Sequence, residues 1–358
     1  MLKKILILTL LAYSFNIFGQ IKYITNKDFT VQGKAFNTLS TPFYHRIDTQ
    51  KYNNLPIKVK DLFTTPAGLY IAFKSNTSQI KLDWSTRSTY LGANTTGIMA
   101  RGLDLYIKEN GKWIFAGAAL PNQQNVKSEY DIAKNLSKTE KEFMLYLPLW
   151  NELTDLKIGI DASANFINQP ISYKKKIVVY GSSIVQGASA SRPGMNYPSI
   201  LTRKTGYEWI NLGLSGNAKI EIELAEMIKD IQNVDVFVLD CVPNSSVKEI
   251  NDRTIPFVKL LKKYHPKTPI LMVESLIRPM SKFDLKANED MMNQNKAYRN
   301  QYETLIKQGL KDLYLLKGDN LIGQDNEGST DGIHPNDLGF SRLSEAIENK
   351  VIEILYKK

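Results

Sequence analysis

The 358-residue chain has very little cysteine and very little histidine, with one of the first, Cys241, and three of the second. A single thiol excludes an intramolecular disulfide framework and a cysteine-based zinc site. His45, His265 and His334 are scattered, and so few imidazoles argue against a zinc-dependent deacetylase. No metal or other cofactor is expected. Long hydrophobic runs are also missing: the run from Ile5 to Leu11 is too short, and too soon followed by Ser14 and Asn16, to span a membrane. Neither GxxxxGK[ST] nor GxGxxG occurs, which removes the usual phosphate cradles, and the GxSxG elbow is absent too. There is no internal repeat and no low-complexity linker. No nucleic-acid-binding motif or basic–aromatic interleaving is found, so nucleic acid is not an expected partner.

Residues 1–20 are present for another purpose. Lys3 and Lys4, the apolar stretch behind them and Phe18-Gly19-Gln20 read as a cleavable signal peptide, which predicts a secreted or periplasmic protein without stable membrane insertion. The formal net charge of +10 becomes +8 once Lys3 and Lys4 are removed. Much of that excess sits in scattered lysines such as Lys174 to Lys176 and Lys262-Lys263. It reads as a solvated basic surface, with attraction to anionic glycans or a membrane surface as the lesser reading.

The remaining chain is long enough for two domains, and its rhythm changes near residue 170. Over 21–170, short alternating runs (Leu69–Phe73, Ile80–Trp84, Leu103–Ile107, Trp113–Phe115, Phe143–Leu149, Leu156–Ile160) and the Glu109-Asn110-Gly111 turn predict a β-sandwich or jelly roll. Over 171–358, five apolar runs (Lys176–Tyr180, Trp209–Leu212, Val234–Leu239, Pro269–Val273, Leu313–Leu316) alternate with amphipathic segments (Ile220–Ile231, Val247–Tyr264, Asn288–Leu310). That alternation predicts an α/β fold, a parallel sheet covered on both faces. Ligands of such sheets sit at the carboxyl ends of the strands.

The residues able to do chemistry fall at those ends. Ser183 leaves the first parallel run and is a candidate nucleophile. His334 stands before Pro335-Asn336-Asp337, a helix start, and Asp331 is placed to reach its imidazole across a turn and set its tautomer. The competing reading makes Asp331 and His334 loop and capping residues. Gly216 and Asn244 follow the next two strands. With the Ser183 backbone N–H they could hold an oxyanion, although each alone is an ordinary loop residue. Glu274 and Arg278 follow the fourth strand and either contact substrate or form an ion pair. Cys241 ends an apolar strand and reads as a buried, inert thiol. His45 reads as packing or surface, and His265 as a helix C-terminal residue.

Four segments, Gly181-Ser182-Ser183, Ser215-Gly216-Asn217, Asn244 and Asp331-Gly332-Ile333-His334, resemble the blocks of the SGNH (GDSL-type) hydrolases. Upstream, Gly102-Leu103-Asp104-Leu105-Tyr106 is similar to the GxDLY signature of the branch that carries an N-terminal β domain. The resemblance implies a flavodoxin-like three-layer sheet with Ser183 as nucleophile, His334 as base and Asp331 orienting it. It also implies an oxyanion hole from Ser183, Gly216 and Asn244. The chain departs from the pattern at Ser182, which replaces the Asp of Gly-Asp-Ser, at Val242-Pro243 in place of Gly-x, and at Ser245 in place of a final Asp. The function expected is an exported serine esterase acting on an ester-decorated poly- or oligosaccharide, with acetyl as the first acyl group expected to be removed. The alternative is a non-catalytic glycan-binding protein in which Trp84 and other aromatics of the β half stack on sugar rings, unless Trp84 is a core residue.

Overall fold

A computed structural model describes residues 20–36 and 40–357. The expected signal peptide, apart from Gln20, lies outside the described residues. Among those described, no helix is long and apolar enough to cross a membrane.

The first half contains β1 (Ile21–Ile24), α1 (Ile57–Phe63), β2 (Tyr70–Ser75), β3 (Ile80–Thr86), α2 (Gly97–Arg101) and β4 (Leu103–Glu109). It continues with β5 (Lys112–Ala119), β6 (Lys127–Ala133), β7 (Lys141–Tyr146), β8 (Leu153–Asp161) and β9 (Ile167–Asn168). These strands form two antiparallel sheets, ordered β1-β8-β3-β6 and β5-β4-β7-β2-β9. Leu82, Trp84 and Ile158 from one sheet pack with Phe73, Leu105 and Phe143 from the other in a single core. Trp84 is buried there and donates its indole N–H to the Arg101 carbonyl at 2.8 Å. It is a core residue, so the sugar-stacking role weighed for it is corrected. The outer face of the second sheet is apolar as well, carrying Tyr70, Ala72, Tyr106, Met144 and Tyr146. With both faces covered, β2 and β4 lose the strict alternation of a half-exposed sheet.

The second half contains β10 (Lys176–Gly181), α3 (Ser183–Gln186), α4 (Tyr197–Thr205), β11 (Glu208–Gly213), α5 (Ile222–Ile228) and β12 (Val236–Asp240). It ends with α6 (Val247–Tyr264), β13 (Ile270–Val273), α7 (Leu285–Lys307), β14 (Leu313–Leu316) and α8 (Asp337–Leu355). The strands are parallel in the order β11-β10-β12-β13-β14. This is the flavodoxin-like order, with its switch point between β10 and β12. The expected class, a three-layer α/β sheet preceded by a β-sandwich, is the one found. Val178, Tyr180, Ile210 and Leu212 point to one helical layer, while Ile177, Val179 and Trp209 point to the other. Helix starts follow local chemistry. Ser246 and Glu249 form a reciprocal capping box on α6, and Asn336 caps α8 by accepting the Gly339 N–H. His265 is the C-cap of α6, as its position in the sequence suggested.

The two halves share cores. Ile47, Tyr52, Leu55, Val59 and Phe63 join one face of the parallel sheet, and Met99, Ala100 and Leu149 join the other. Two buried polar clusters help to close the seam. The fully buried Arg46 guanidinium donates to the carbonyls of Asn211 and Gly213 at the end of β11 (3.2 and 2.8 Å), and to those of Leu62 and Thr65 (2.7 and 2.9 Å). Asp104, also fully buried, accepts the Gly194 N–H at 3.0 Å and lies 3.3 Å from Arg192 Nε. A Cβ at position 194 would stand 2.9 Å from the Asp104 carboxylate and 2.8 Å from the Tyr106 hydroxyl, so the approach needs glycine. Arg203 covers the rings of Tyr106 and Tyr146 at 4.1 and 5.2 Å. The Gly-x-Asp-Leu-Tyr segment is therefore the latch between the two halves.

Candidate active site

At the exit of β10 the chain turns directly into the short helix α3. Ser182 caps it, accepting the Ile184 N–H on its hydroxyl at 3.3 Å, while its own N–H donates to the Asp240 carbonyl at 3.2 Å. A serine thus suffices where the family pattern has aspartate, and the turn stays tied to the end of β12. Ser183 follows as the first helical residue and is 7% exposed. Its Oγ lies 3.0 Å from His334 Nε2.

The second half of the relay is a closed loop before α8. The His334 carbonyl accepts from the Thr330 N–H (3.0 Å) and the Ser329 hydroxyl (2.9 Å). Asp331 Oδ1 accepts the backbone N–H groups of Ile333 and His334 at 2.9 and 2.7 Å. Asp331 Oδ2 lies 2.8 Å from His334 Nδ1. Burial alone would raise the Asp331 carboxyl. The His334 N–H and ring and the Ile333 N–H outweigh it and bring the group down to about 2. The carboxylate stays ionised at any working pH and fixes the proton on Nδ1, which leaves the Nε2 lone pair facing Ser183 Oγ. Ser183, His334 and Asp331, proposed from spacing, are brought together in hydrogen-bonding order.

Gly216 and Asn244 stand at the ends of the two strands flanking β10. Gly216 has φ +69°, and a Cβ built there meets nothing within 4 Å, so its backbone faces open space. The preceding Ser215 N–H is occupied by Gln186 Oε1 at 2.9 Å. The N–H groups of Ser183 and Gly216 have no acceptor among the described residues. Asn244 closes a 3-10 turn after β12, and its Oδ1 is buried without a partner among the described residues. Below this loop Asp240 is buried, with a single side-chain bond among the described residues, from the Tyr197 hydroxyl at 3.0 Å, and burial pushes its carboxyl up to about 7. Cys241 is buried and its thiol is pushed well up by that burial, which suits the inert role expected for it.

Glu274 corrects one of the alternatives left open by the sequence. Its carboxylate accepts from Arg299 Nε and Nη2 (2.8 and 3.0 Å) and from the Gly318 N–H (3.1 Å). A carboxylate so engaged and 1% exposed is an internal ion pair, not a group offered to substrate. Arg278 is different. Its Nε is buried without a partner among the described residues, and burial lowers the guanidinium pKa. It lines a cavity of about 380 Å³ with Lys282, Leu285, Asp319 and Gln324. The following Met280 donates its N–H to the Gly332 carbonyl at 3.1 Å, which sets this segment against the triad loop. His45 pairs with Glu152 at 3.0 Å, away from the site.

One residue at the triad has no sequence signal. Asn94, in the loop after β3, places its Nδ2 3.0 Å from Asp331 Oδ2 and 3.1 Å from His334 Nδ1. An asparagine in Gly-Ala-Asn-Thr-Thr, 237 positions from its partner, offers nothing in composition or spacing to single it out.

Residues 174–353 match the GDSL-like Lipase/Acylhydrolase family, and residues 21–166 match the family that forms the N-terminus of SGNH-hydrolase-type esterases. The chain belongs to the GDSL-like lipase/acylhydrolase family and carries the GxDLY N-terminal domain. It is similar to a protein described as a GDSL-like lipase from Bacteroides ovatus ATCC 8483, with 47% identity and a TM-score of 0.91 over 94% of this chain and 98% of that one. The same fold is found in a salicylyl-acyltransferase from a tetracycline biosynthetic pathway (16% identity, TM-score 0.75, 93% and 97% covered). It is found again in a family two carbohydrate esterase from Cellvibrio japonicus (11% identity, TM-score 0.61, 94% and 98% covered). No curated protein matches the chain.

Proposed function

We propose that this acylhydrolase is an exported serine esterase that removes acyl groups, acetyl first among them, from an ester-decorated poly- or oligosaccharide. The observation that carries the reading is the hydrogen-bonded relay Ser183–His334–Asp331, at 3.0 and 2.8 Å. Ser183 Oγ attacks the ester carbonyl carbon as His334 Nε2 takes its proton. The oxyanion faces the N–H groups of Ser183 and Gly216 and the Asn244 side chain, each donor worth on the order of 3 kcal/mol in the transition state. The tetrahedral centre collapses, His334 returns the proton to the leaving sugar oxygen, and acyl-Ser183 remains. Water, deprotonated by His334, then releases the carboxylic acid and restores Ser183.

Three observations support a carbohydrate substrate. One is the family two carbohydrate esterase among the fold neighbours. A second is a cavity of about 550 Å³ beside the relay, lined by Ala93, Thr95, Ser189, Thr330, Asn336 and Leu338, with room for a sugar ring. The third is Arg278, whose Nε has no partner among the described residues and which is suited to an acidic group on the polymer. Export rests on Lys3, Lys4 and the apolar run behind them.

The relay weighs against a purely glycan-binding role. Labelling by a fluorophosphonate probe at Ser183, and acetate release from a panel of acetylated oligosaccharides that disappears in Ser183→Ala, are the expected results. Glycan retention without labelling would overturn the esterase reading.

A further inference from the structure

The loop over residues 87–96 belongs to the β half by sequence but ends at the triad. Its backbone is pinned without help from the Asn94 side chain. Thr95 donates its N–H and hydroxyl to the Gly92 carbonyl at 3.1 and 2.7 Å. Ser189, just past the nucleophile helix, donates its hydroxyl to the Asn94 carbonyl at 3.0 Å. Thr96 caps α2 through the Met99 N–H at 2.9 Å and donates its hydroxyl to the Ser191 carbonyl at 2.7 Å. These contacts leave the Asn94 amide directed at Asp331.

The triad carboxylate needs what that amide offers. The Asp331 side chain is 30% exposed, so water would otherwise compete for it. An ionised carboxylate has about four lone-pair sites. Oδ1 takes two backbone N–H groups, from Ile333 and His334. Oδ2 takes the imidazole Nδ1–H and the Asn94 Nδ2–H. All the sites are filled, and the fourth donor comes from the other domain. Nδ2 also stands 3.1 Å from Nδ1, but two donors cannot bond each other, so their shared acceptor is Oδ2.

We propose that Asn94 is a positioning residue of the catalytic centre: it locks the Asp331 carboxylate, and through it the His334 ring, so that the N-terminal domain completes the active site. This rests on the esterase reading of the triad. Asn94 touches neither Ser183 nor the reacting carbonyl, and acts only by fixing the angle from which Asp331 holds the imidazole.

The test uses the full chain, p-nitrophenyl acetate at pH 8, and the variants Asn94→Ala, Asn94→Asp and Ser183→Ala. Loss of a hydrogen bond to a charged group predicts a fall in kcat of about ten-fold for Asn94→Ala, with KM and the melting temperature unchanged. Asn94→Asp keeps the shape, loses the donor and sets a second negative charge beside Asp331, so it falls below Asn94→Ala. A role limited to shape would give the reverse ranking. Wild-type kcat in Asn94→Ala, a loss accompanied by a lower melting temperature, or an Asp variant as active as the Ala variant would each overturn the proposal. Turnover retained in Ser183→Ala would instead sink the esterase reading. The downfield proton resonance of His334 Nδ1, assigned by its disappearance in Asp331→Asn, tests the contact without any substrate. It shifts in Asn94→Ala if the amide shares Oδ2, and an unmoved resonance overturns the proposal.

Discussion

Two carboxylates flank Ser183, and the protein drives them in opposite directions. Asp331 lies at the rim, takes hydrogen bonds on both oxygens, and is carried down to about 2. Asp240 lies under the oxyanion loop with one bond from Tyr197, and dryness pushes it up to about 7. The same contrast runs through their surroundings. On the relay side Asp331 and the His334 carbonyl are each met by several donors. On the oxyanion side the N–H groups of Ser183 and Gly216 have no acceptor among the described residues, and Gly216 faces open space. His334 and Asp331 are assembled in advance, whereas the free N–H groups leave capacity for a ligand to fill.

The strongest way to break this comparison is Ser183→Ala, expected to lower kcat by on the order of 10⁶-fold while the thermal melt stays near wild type. Retained hydrolysis would show that the assembled relay is not the engine. Next, Asn244→Ala should cost roughly 10² to 10³ in kcat with little change in stability, since no protein hydrogen bond through Oδ1 is lost. A near-neutral result would leave the oxyanion to the backbone N–H groups alone.

Asp240 and Asp331 give opposite pH signatures. A carboxyl whose pKa is raised on folding binds a proton more tightly in the native state, so stability falls as pH rises from about 4 to about 7, by at most about 1.4 kcal/mol per pH unit. Asp240→Asn should flatten that slope in denaturation curves taken across the window. The depressed pKa of Asp331 has the other sign: its contribution is present above about pH 4 and is lost as pH falls towards 2. The smallest effect expected is at Arg278. Arg278→Ala should raise KM for an acidic polymer by up to about five-fold, the scale of a partly screened ion pair, and leave KM for p-nitrophenyl acetate alone.

The parallel sheet was legible because four of its five strands are buried on both faces and read as largely apolar runs. The triad was legible because Asp331 and His334 are bound through a single turn. By contrast, β6 (Lys127–Ala133) was not found, since this sheet-edge strand exposes four of its seven residues and its sequence is mostly polar. Residues 40–66 gave no sign that they would pack onto the parallel sheet, because what they pack against is set by the fold and not by their own periodicity. Asn94 was invisible for the same reason. Glu274 was ambiguous until Arg299, 25 residues on, supplied its partner.

Arg46 carries a consequence for how the molecule comes apart. This fully buried cation has four carbonyls for company, two of them at the carboxyl end of β11, next to the loop that bears Gly216. Peeling the β half away would strand that charge and expose apolar residues on both faces of the parallel sheet at once. Unfolding should therefore be cooperative across the domain boundary, with calorimetry recording one transition and not two. A protease that removed the β half should therefore leave a remainder that does not stay folded.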